Sequence, residues 1–480
     1  MQAARRLIVV SNRGPVTYGR DSSGRRVLVR GGGGLVTAVR SFARHGDVLW
    51  IASATTDEDR AVAAEQPVAC DSGYPTRLLA HDPAAYERFY NEVANPALWF
   101  AQHGLWELAH ARRGERLADA WETGYTVVNR AFADAVCREL EADPDALVLC
   151  HDYHLYLVPQ LVRERFPATA LACFVHIPWP HPDGWNVLPE RIVTAVHEGV
   201  LGADLVAFHS HRWQAGFLAC AATLLGARVD GDAVEHAGRV TRTVVRPGSV
   251  DPAEFDALAR DPRVLARRRQ IRQALPGRIV LRVERTDPSK NLVRGLAAFE
   301  RFLARHGDAA ADVAMLALLD PSRQDIPEYA AYLDEVRRAS AAIDARFGAD
   351  GRRPVVLEVA DDFLGSVAAY AEFDVLFVNP VADGLNLVVK EAPLVNERDG
   401  AVVLSRNAGA HDELGPWVVS VDPLDVDGQA QALAAALALP PAARRDRLEA
   451  MREHVRRHDL AAWAASLLAD LERLPVAARR

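Results

Sequence analysis

Residues 279–290 read Ile-Val-Leu-Arg-Val-Glu-Arg-Thr-Asp-Pro-Ser-Lys. The run 279–283 predicts a buried strand, and Arg285-Thr-Asp-Pro-Ser-Lys290 predicts a turn carrying two cations just beyond it. A second stretch repeats the arrangement: Val375-Leu-Phe-Val378 reads as a strand, followed by Asp383-Gly-Leu-Asn-Leu-Val-Val-Lys-Glu391. Open α/β sheets bind ligands beyond the carboxyl ends of their strands, so both stretches mark candidate sites. Arg285 and Lys290 suit a diphosphate, and Glu391 suits vicinal hydroxyls such as a ribose diol. The turn at 383–387 points backbone N–H groups at an anion or at sugar hydroxyls. Together they suggest a sugar-nucleotide site.

The same rhythm extends over the chain. Further strands are expected at 7–10, 48–51, 147–150, 171–175, 205–208 and 243–245, then at 313–319, 355–359, 402–404 and 418–421. Helix-periodic segments lie between them, for example 127–141, 292–304, 328–345 and 386–396. Continuous apolar strands alternating with helices predict parallel sheets covered on both faces. The fold class is therefore α/β, with two doubly wound, Rossmann-like domains. The turn-rich link Arg246-Pro-Gly-Ser-Val-Asp-Pro252 divides them, giving domains at 1–250 and 251–450 with a cleft between. The arginine-rich segment 451–480 is expected to be helical and to pack back on the first domain.

Bulk properties narrow the class. At 480 residues the chain exceeds one ordinary core. A net charge of −8 gives no reason to expect nucleic acid or an anionic membrane as partner. No apolar run reaches the ~18 residues of a membrane span, and nothing at the start resembles a signal sequence, so a cytoplasmic location is expected. The five cysteines, at 70, 137, 150, 173 and 220, show no C-x-x-C spacing and are expected to be reduced.

Other clusters fall at strand ends. Gly31-Gly-Gly-Gly34 precedes a helix start and suits close approach to phosphate, although a glycine run alone is more often a plain turn. No G-x-G-x-x-G or P-loop pattern occurs, which disfavours a dinucleotide dehydrogenase and a P-loop NTPase. Ser11-Asn-Arg13 follows the first strand and Arg323 follows strand 313–319, so each domain offers an arginine for an anion. His151-Asp-Tyr-His154 and His176-Ile-Pro-Trp-Pro180 stand at neighbouring strand ends and suit sugar hydroxyls. His151, His154, His176 and His181 match no standard zinc spacing. Tyr90 and Trp99 fit either a sugar platform or core packing.

Taken in order, these motifs resemble the retaining GT-B glycosyltransferases of the trehalose-6-phosphate synthase family, glycosyltransferase family 20. The match runs through Ser-Asn-Arg13, the loop ending at Gly34, Tyr90-Asn with Trp99, His-Asp152-Tyr-His, and Phe-Val-His176-Ile-Pro-Trp-Pro. It continues through Arg285-x-Asp-x-x-Lys290, Ser-Arg323 and Asp383-Gly-x-Asn-Leu-Val-x-Lys-Glu391. The resemblance implies donor binding by Gly33, Gly34, Arg285, Lys290, Gly384, Leu385, Asn386, Leu387, Val388 and Glu391. It implies acceptor binding by Arg13, Tyr90, Trp99, Asp152 and Arg323, and places His176 and Asp383 on the transferred sugar. His176, Arg285, Lys290 and Asp383 would be the catalytic set.

What the resemblance implies chemically is transfer of glucose from UDP- or GDP-glucose to glucose 6-phosphate, with retention, giving α,α-trehalose 6-phosphate. No protein nucleophile, metal or cofactor is expected; Arg285 and Lys290 would stabilise the leaving phosphate. Partners are small molecules, with a homo-oligomer left open. Thr286-Asp-Pro-Ser-Lys-Asn291 and Pro393-Leu-Val-Asn-Glu-Arg-Asp399 depart from the commoner pattern and look like the actinobacterial branch. That branch contains pseudoglycosyltransferases, which join a nucleotide-linked cyclitol to an amino-cyclitol phosphate. Retention of Arg13, Trp99, Asp152 and Lys390 favours the glucosyltransferase. Alternatives are another acceptor, such as glycerol 3-phosphate or an amino-cyclitol phosphate, and a silent paralogue that senses sugar phosphates.

Overall fold

The computed structural model describes residues 5–30, 47–66, 68–69, 75–111, 114–348 and 352–474. The chain forms two compact units, Met1–Gly248 with Leu460–Arg480, and Ser249–Asp459.

The first unit contains strands β1 (Leu7–Val10), β2 (Val16–Arg20), β3 (Arg26–Arg30), β4 (Val48–Ser53), β5 (Thr76–Leu79), β6 (Leu147–His151), β7 (Leu171–Val175), β8 (Leu205–Phe208), β9 (Arg228–Asp230), β10 (Ala233–His236) and β11 (Arg239–Val245). Nine of them form one sheet in the order β5-β4-β1-β6-β7-β8-β11-β10-β9, and β2 and β3 form a separate hairpin. From β5 to β11 all neighbours are parallel; only β11–β10 and β10–β9 run antiparallel. The chain winds outward from β1 to β4 and β5, then returns to β6 on the other side. The switch point therefore lies between β1 and β6, which places the loops bearing Arg13 and Asp152 side by side.

The second unit contains β12 (Arg278–Arg285), β13 (Val313–Asp320), β14 (Val355–Val359), β15 (Val375–Val378), β16 (Ala401–Ser405) and β17 (Val419–Val421). They form a fully parallel sheet ordered β14-β13-β12-β15-β16-β17. Here the switch lies between β12 and β15, so the two stretches first singled out, 285–290 and 383–391, emerge on adjacent strands. Successive residues of β12 feed opposite cores: Ile279 and Leu281 pack in one cluster, Val280 in the other. That burial on both faces is why the strand reads as a continuous apolar run.

All twelve expected strands are present, with ends moved by up to four residues. The expected helices lie at Thr126–Ala142, Leu292–His306, Pro327–Phe347 and Val388–Val395. The last starts two residues later than expected because Asn386 adopts a left-handed backbone, φ 78°. The expected boundary at 451 falls inside helix Pro441–Arg457, whose Leu448, Met451 and Val455 are buried in the second unit. The chain rejoins the first unit at Leu460, where helix Leu460–Glu472 lays Trp463, Leu467 and Leu471 on the sheet face.

Candidate functional site

Two constellations stand at the two switch points, one in each unit. In the first unit, Ser11 accepts from Trp50 Nε1 at 2.7 Å and donates to the Arg13 carbonyl at 2.6 Å. This fixes the turn after β1, and Arg13 Nη2 then donates to the Tyr90 hydroxyl at 3.4 Å. Tyr90 lies in a π-helical stretch, Arg88–Leu98, that contains Pro96. Such widened turns concentrate at functional sites. Asn95 donates to the Tyr90 carbonyl at 2.9 Å and accepts from Tyr153 at 2.6 Å, tying this stretch to the loop after β6. Trp99 is buried, stacks on His103 with ring centroids 4.0 Å apart, and tilts against Tyr153 at 5.3 Å. Most of its indole surface is therefore spent on packing.

Asp152 has φ 71°, a conformation costly for a non-glycine residue. Its Oδ1 accepts the backbone N–H of His176 at 3.0 Å, joining the loops after β6 and β7. The histidines pair with each other: His151 Nδ1 lies 2.8 Å from His176 Nε2, and His176 Nδ1 lies 3.0 Å from His209 Nε2. Burial pushes His176 down to about 3 and His151 well below the ordinary histidine value, the latter helped by His176. They are neutral at physiological pH. Among the described residues no group of three or more His, Cys, Asp or Glu is arranged to hold a metal ion.

In the second unit Lys290, at the end of the Pro288–Lys290 turn, forms an ion pair with Asp383 Oδ2 and lies 3.7 Å from Glu284 Oε2. Burial works against the lysine charge, but Asp383 and Glu284 outweigh it and hold the ammonium above its ordinary value. Asn386 Nδ2 also donates to Asp383 Oδ2, at 3.2 Å. The loop 383–387 is braced from the next strand end: Asp383 N donates to Asn407 O at 3.1 Å, and Gly409 N to Asp383 O at 3.0 Å. A Cβ at position 409 would sit 1.9 Å from the Gly384 carbonyl, so only glycine permits this approach. Leu385 is buried and its carbonyl accepts from Ala410 N at 2.8 Å. Leu387 and Val388 open the helix that carries Glu391.

Glu391 Oε2 accepts from the Tyr370 hydroxyl at 2.9 Å. Burial raises its carboxyl to about 7, although the Tyr370 bond favours the charged form. Arg285 ends β12 in register with Asp320 of β13. Arg323 also has a left-handed backbone, φ 49°. Its Nη1 lies 3.2 Å from Asp287 Oδ2 and 2.6 Å from the Tyr329 hydroxyl. Asp287 Oδ1 accepts from Ser289 N at 2.9 Å and Ser289 Oγ at 2.8 Å, so one carboxylate shapes the lysine turn and holds the arginine. Lys390 is turned away to a buried pair with Glu413 at 2.6 Å, bridging helices of the second unit.

The structure thus joins Arg13 with Tyr90, Asp152 with His176, and Lys290 with Asp383 and Asn386. Gly33 and Gly34 lie outside the described residues. Sequence reasoning missed Asp287, Tyr329, Tyr370 and His209, which act on the predicted residues; His209 directly follows β8, and a strand-end position could have marked it. Of these, only Asp287 lay inside a quoted motif, and Asp-Pro-Ser is a capping signal.

Of the five cysteines expected to be reduced, Cys137, Cys150, Cys173 and Cys220 are free and buried; Cys70 lies outside the described residues. No helix among the described residues is long and apolar enough to cross a membrane.

The model of glycosyltransferase family 20 matches residues 5–473. The chain is 34% identical over 479 residues to validamine 7-phosphate valienyltransferase of Streptomyces hygroscopicus subsp. jinggangensis, covering 97% of this chain and 94% of that one. It is 33% identical over 481 residues to trehalose-6-phosphate synthase of Mycolicibacterium smegmatis, covering 96% and 91%. An E. coli trehalose-6-phosphate structure bound with UDP-2-fluoro glucose superposes with a TM-score of 0.85 at 26% identity, covering 98% of this chain and all of that one. A trehalose-phosphate synthase from Burkholderia xenovorans in complex with glucose-6-phosphate gives a TM-score of 0.83 at 26% identity, covering 97% of this chain and all of that one. With two α/β units, parallel sheets and this match along its length, the chain belongs to glycosyltransferase family 20 and is a GT-B glycosyltransferase.

Proposed function

We propose that the enzyme transfers glucose, with retention, from a nucleoside diphosphate glucose to glucose 6-phosphate, forming α,α-trehalose 6-phosphate. The observation that carries this reading is the Lys290–Asp383–Asn386 network at the switch point of the second unit. It sets a cation held charged by its surroundings beside a carboxylate and a turn of backbone N–H groups. Arg285 and Lys290 take the donor diphosphate, with Gly384–Val388 contributing backbone groups and Glu391 the ribose hydroxyls. Asp383 and His176 take hydroxyls of the transferred sugar. Arg13, Tyr90 and Arg323 take the acceptor phosphate, while Trp99 and Asp152 take the acceptor ring. Gly33 and Gly34 complete the donor site.

In the reaction the bond from C1 to the diphosphate oxygen breaks, and Arg285 and Lys290 stabilise the charge left on that oxygen. The acceptor hydroxyl enters from the face the leaving group vacates and gives its proton to that group. Holding the acceptor by its phosphate supplies orientation. The two cations do the work that a metal does elsewhere, so turnover is expected to survive chelators. The substrates are soluble small molecules, and a cytoplasmic enzyme fits them.

A second reading is favoured by the 34% identity to a valienyltransferase. On that reading a nucleotide-linked cyclitol is coupled to an amino-cyclitol phosphate by the same residues. The deciding experiment mixes the enzyme with UDP-, GDP- and ADP-glucose, with and without glucose 6-phosphate, and in a parallel arm with a nucleotide-linked cyclitol and an amino-cyclitol phosphate, and measures nucleotide release. Release that needs glucose 6-phosphate supports the proposal. Release only with a cyclitol donor supports the second reading, and no release with any donor overturns both.

A further inference from the structure

We propose that His209 is a positioning residue that locks His176 into a single tautomer, with its proton on Nε2, through a hydrogen-bond chain whose direction is set by the backbone N–H of Gly248. The chain has four members: Gly248 N lies 3.0 Å from His209 Nδ1, His209 Nε2 lies 3.0 Å from His176 Nδ1, and His176 Nε2 lies 2.8 Å from His151 Nδ1. A backbone amide can only donate. His209 Nδ1 is therefore the acceptor and carries no proton, and the proton of that ring sits on Nε2. A charged His209 would set two N–H groups against each other at 3.0 Å.

The polarity then propagates. His209 donates to His176 Nδ1, so His176 carries its proton on Nε2 and donates it to His151 Nδ1. A protonated His176 Nδ1 would need His209 without a proton on either nitrogen, which no accessible pH provides. His151 closes the chain with its proton on Nε2, a buried atom with no hydrogen-bond partner among the described residues. Phe174 holds the geometry, stacking on His176 at 4.4 Å and tilting against His209 at 4.9 Å.

The consequence is chemical. His176 can offer one polar hydrogen, at Nε2, and no basic nitrogen, because Nδ1 is occupied by His209. It can donate to an oxygen of a bound sugar by giving up its hold on His151. It cannot take a proton from an attacking hydroxyl. His209 touches no reacting atom in this scheme and acts only through His176.

The test uses the full chain labelled with 15N-histidine, with His176 assigned by loss of its signals in His176→Asn. Long-range 1H–15N spectra are expected to show His176 Nε2 protonated and Nδ1 bare. His209→Gln keeps the polarity, since its amide oxygen accepts from Gly248 and its amide N–H donates to His176, so the His176 spectrum and turnover should stay within about threefold of wild type. His209→Phe fills the space without a donor and should shift His176 toward the other tautomer, lowering kcat by about tenfold or more with KM for the acceptor little changed. A wild-type His176 protonated at Nδ1, or an unchanged His176 spectrum in His209→Phe, overturns the proposal. The activity arm rests on the reading that His176 contacts the transferred sugar. A shifted tautomer with unaltered turnover would uphold the relay and sink that reading instead.

Discussion

Tyr370 donates its hydroxyl hydrogen to Glu391 Oε2 at 2.9 Å, in surroundings that raise the carboxyl to about 7. Two opposed effects meet here: burial favours the neutral acid, and the phenol favours the anion. A vicinal diol also favours the anion, because it donates. Donor affinity should therefore fall as pH drops below about 7, by up to roughly tenfold per unit. The folded value lies above the ordinary 4.5, so the neutral acid stabilises the fold at low pH, and that contribution is lost as pH rises from about 4.5 through about 7. Measuring KM for the donor against pH checks this, with Glu391→Gln expected to flatten the acid limb. An equal slope in both enzymes would remove Glu391 from the ribose.

Lys290 is paired with Asp383 and faces Glu284, so its replacement has two separable costs. Lys290→Ala removes the charge meant for the leaving phosphate, and turnover should fall by about a thousandfold. It also removes the charge that Lys290 sets beside the buried carboxylates of Asp383 and Glu284, costing about 3–5 kcal/mol of stability. Adding Asp383→Asn should restore much of the melting temperature and none of the activity. Arg285→Ala should likewise abolish turnover. Near-wild-type activity in either single variant would disprove the assignment.

How much of this was legible beforehand follows from what each feature depends on. Strands such as 279–283 and 375–378 announce themselves because both faces are buried. The missed β9, with the sequence Arg-Val-Asp, is largely exposed, and β5 is an edge strand with Arg77 in its middle. The β2–β3 hairpin lies outside the main sheet, and its one apolar run, Val27-Leu-Val29, is short and bounded by arginines. The π-helical form of 88–98 depends on tertiary packing around Pro96, which periodicity does not report. Site residues at strand ends could be named one by one. Their pairings could not, because Lys290 meets Asp383 only once the order β12-β15 is known.

Asp287 is fully buried and serves two masters, the Ser289 turn and Arg323. Asp287→Asn can still accept from Ser289, but it exchanges a carboxylate for an amide opposite a guanidinium. Arg323 should then lose its fixed direction, raising KM for the sugar phosphate by about tenfold while KM for the donor changes far less. Asp287→Ala should also destabilise the chain by about 3–5 kcal/mol, since a nearly buried arginine loses the Asp287 carboxylate. Steady-state kinetics with each substrate varied in turn, alongside melting curves, distinguishes the two. A rise confined to the donor KM would place Arg323 elsewhere.

Gly295 tests the scaffold behind the lysine turn. It lies in helix Leu292–His306, where a Cβ would stand 1.6 Å from Arg282 Nη1. Arg282 is itself 1% exposed and uses Nη2 to hold the Lys290 carbonyl at 3.1 Å and Asn379 Oδ1 at 2.6 Å. Its guanidinium also packs over the Phe377 ring, 5.1 Å from the centroid. With no space for the added methyl, the arginine must move, and the lysine turn moves with it. Gly295→Ala is expected to cost about 3 kcal/mol and to lower kcat although position 295 touches no substrate. Pairing it with Arg282→Met, which is slimmer and uncharged, should recover stability by relieving the overlap and the burial of a partly unpaired charge. Activity should recover less, because the Lys290 carbonyl stays unheld. Recovery of both, read from melting curves and turnover of the double variant, would show that Arg282 only fills space.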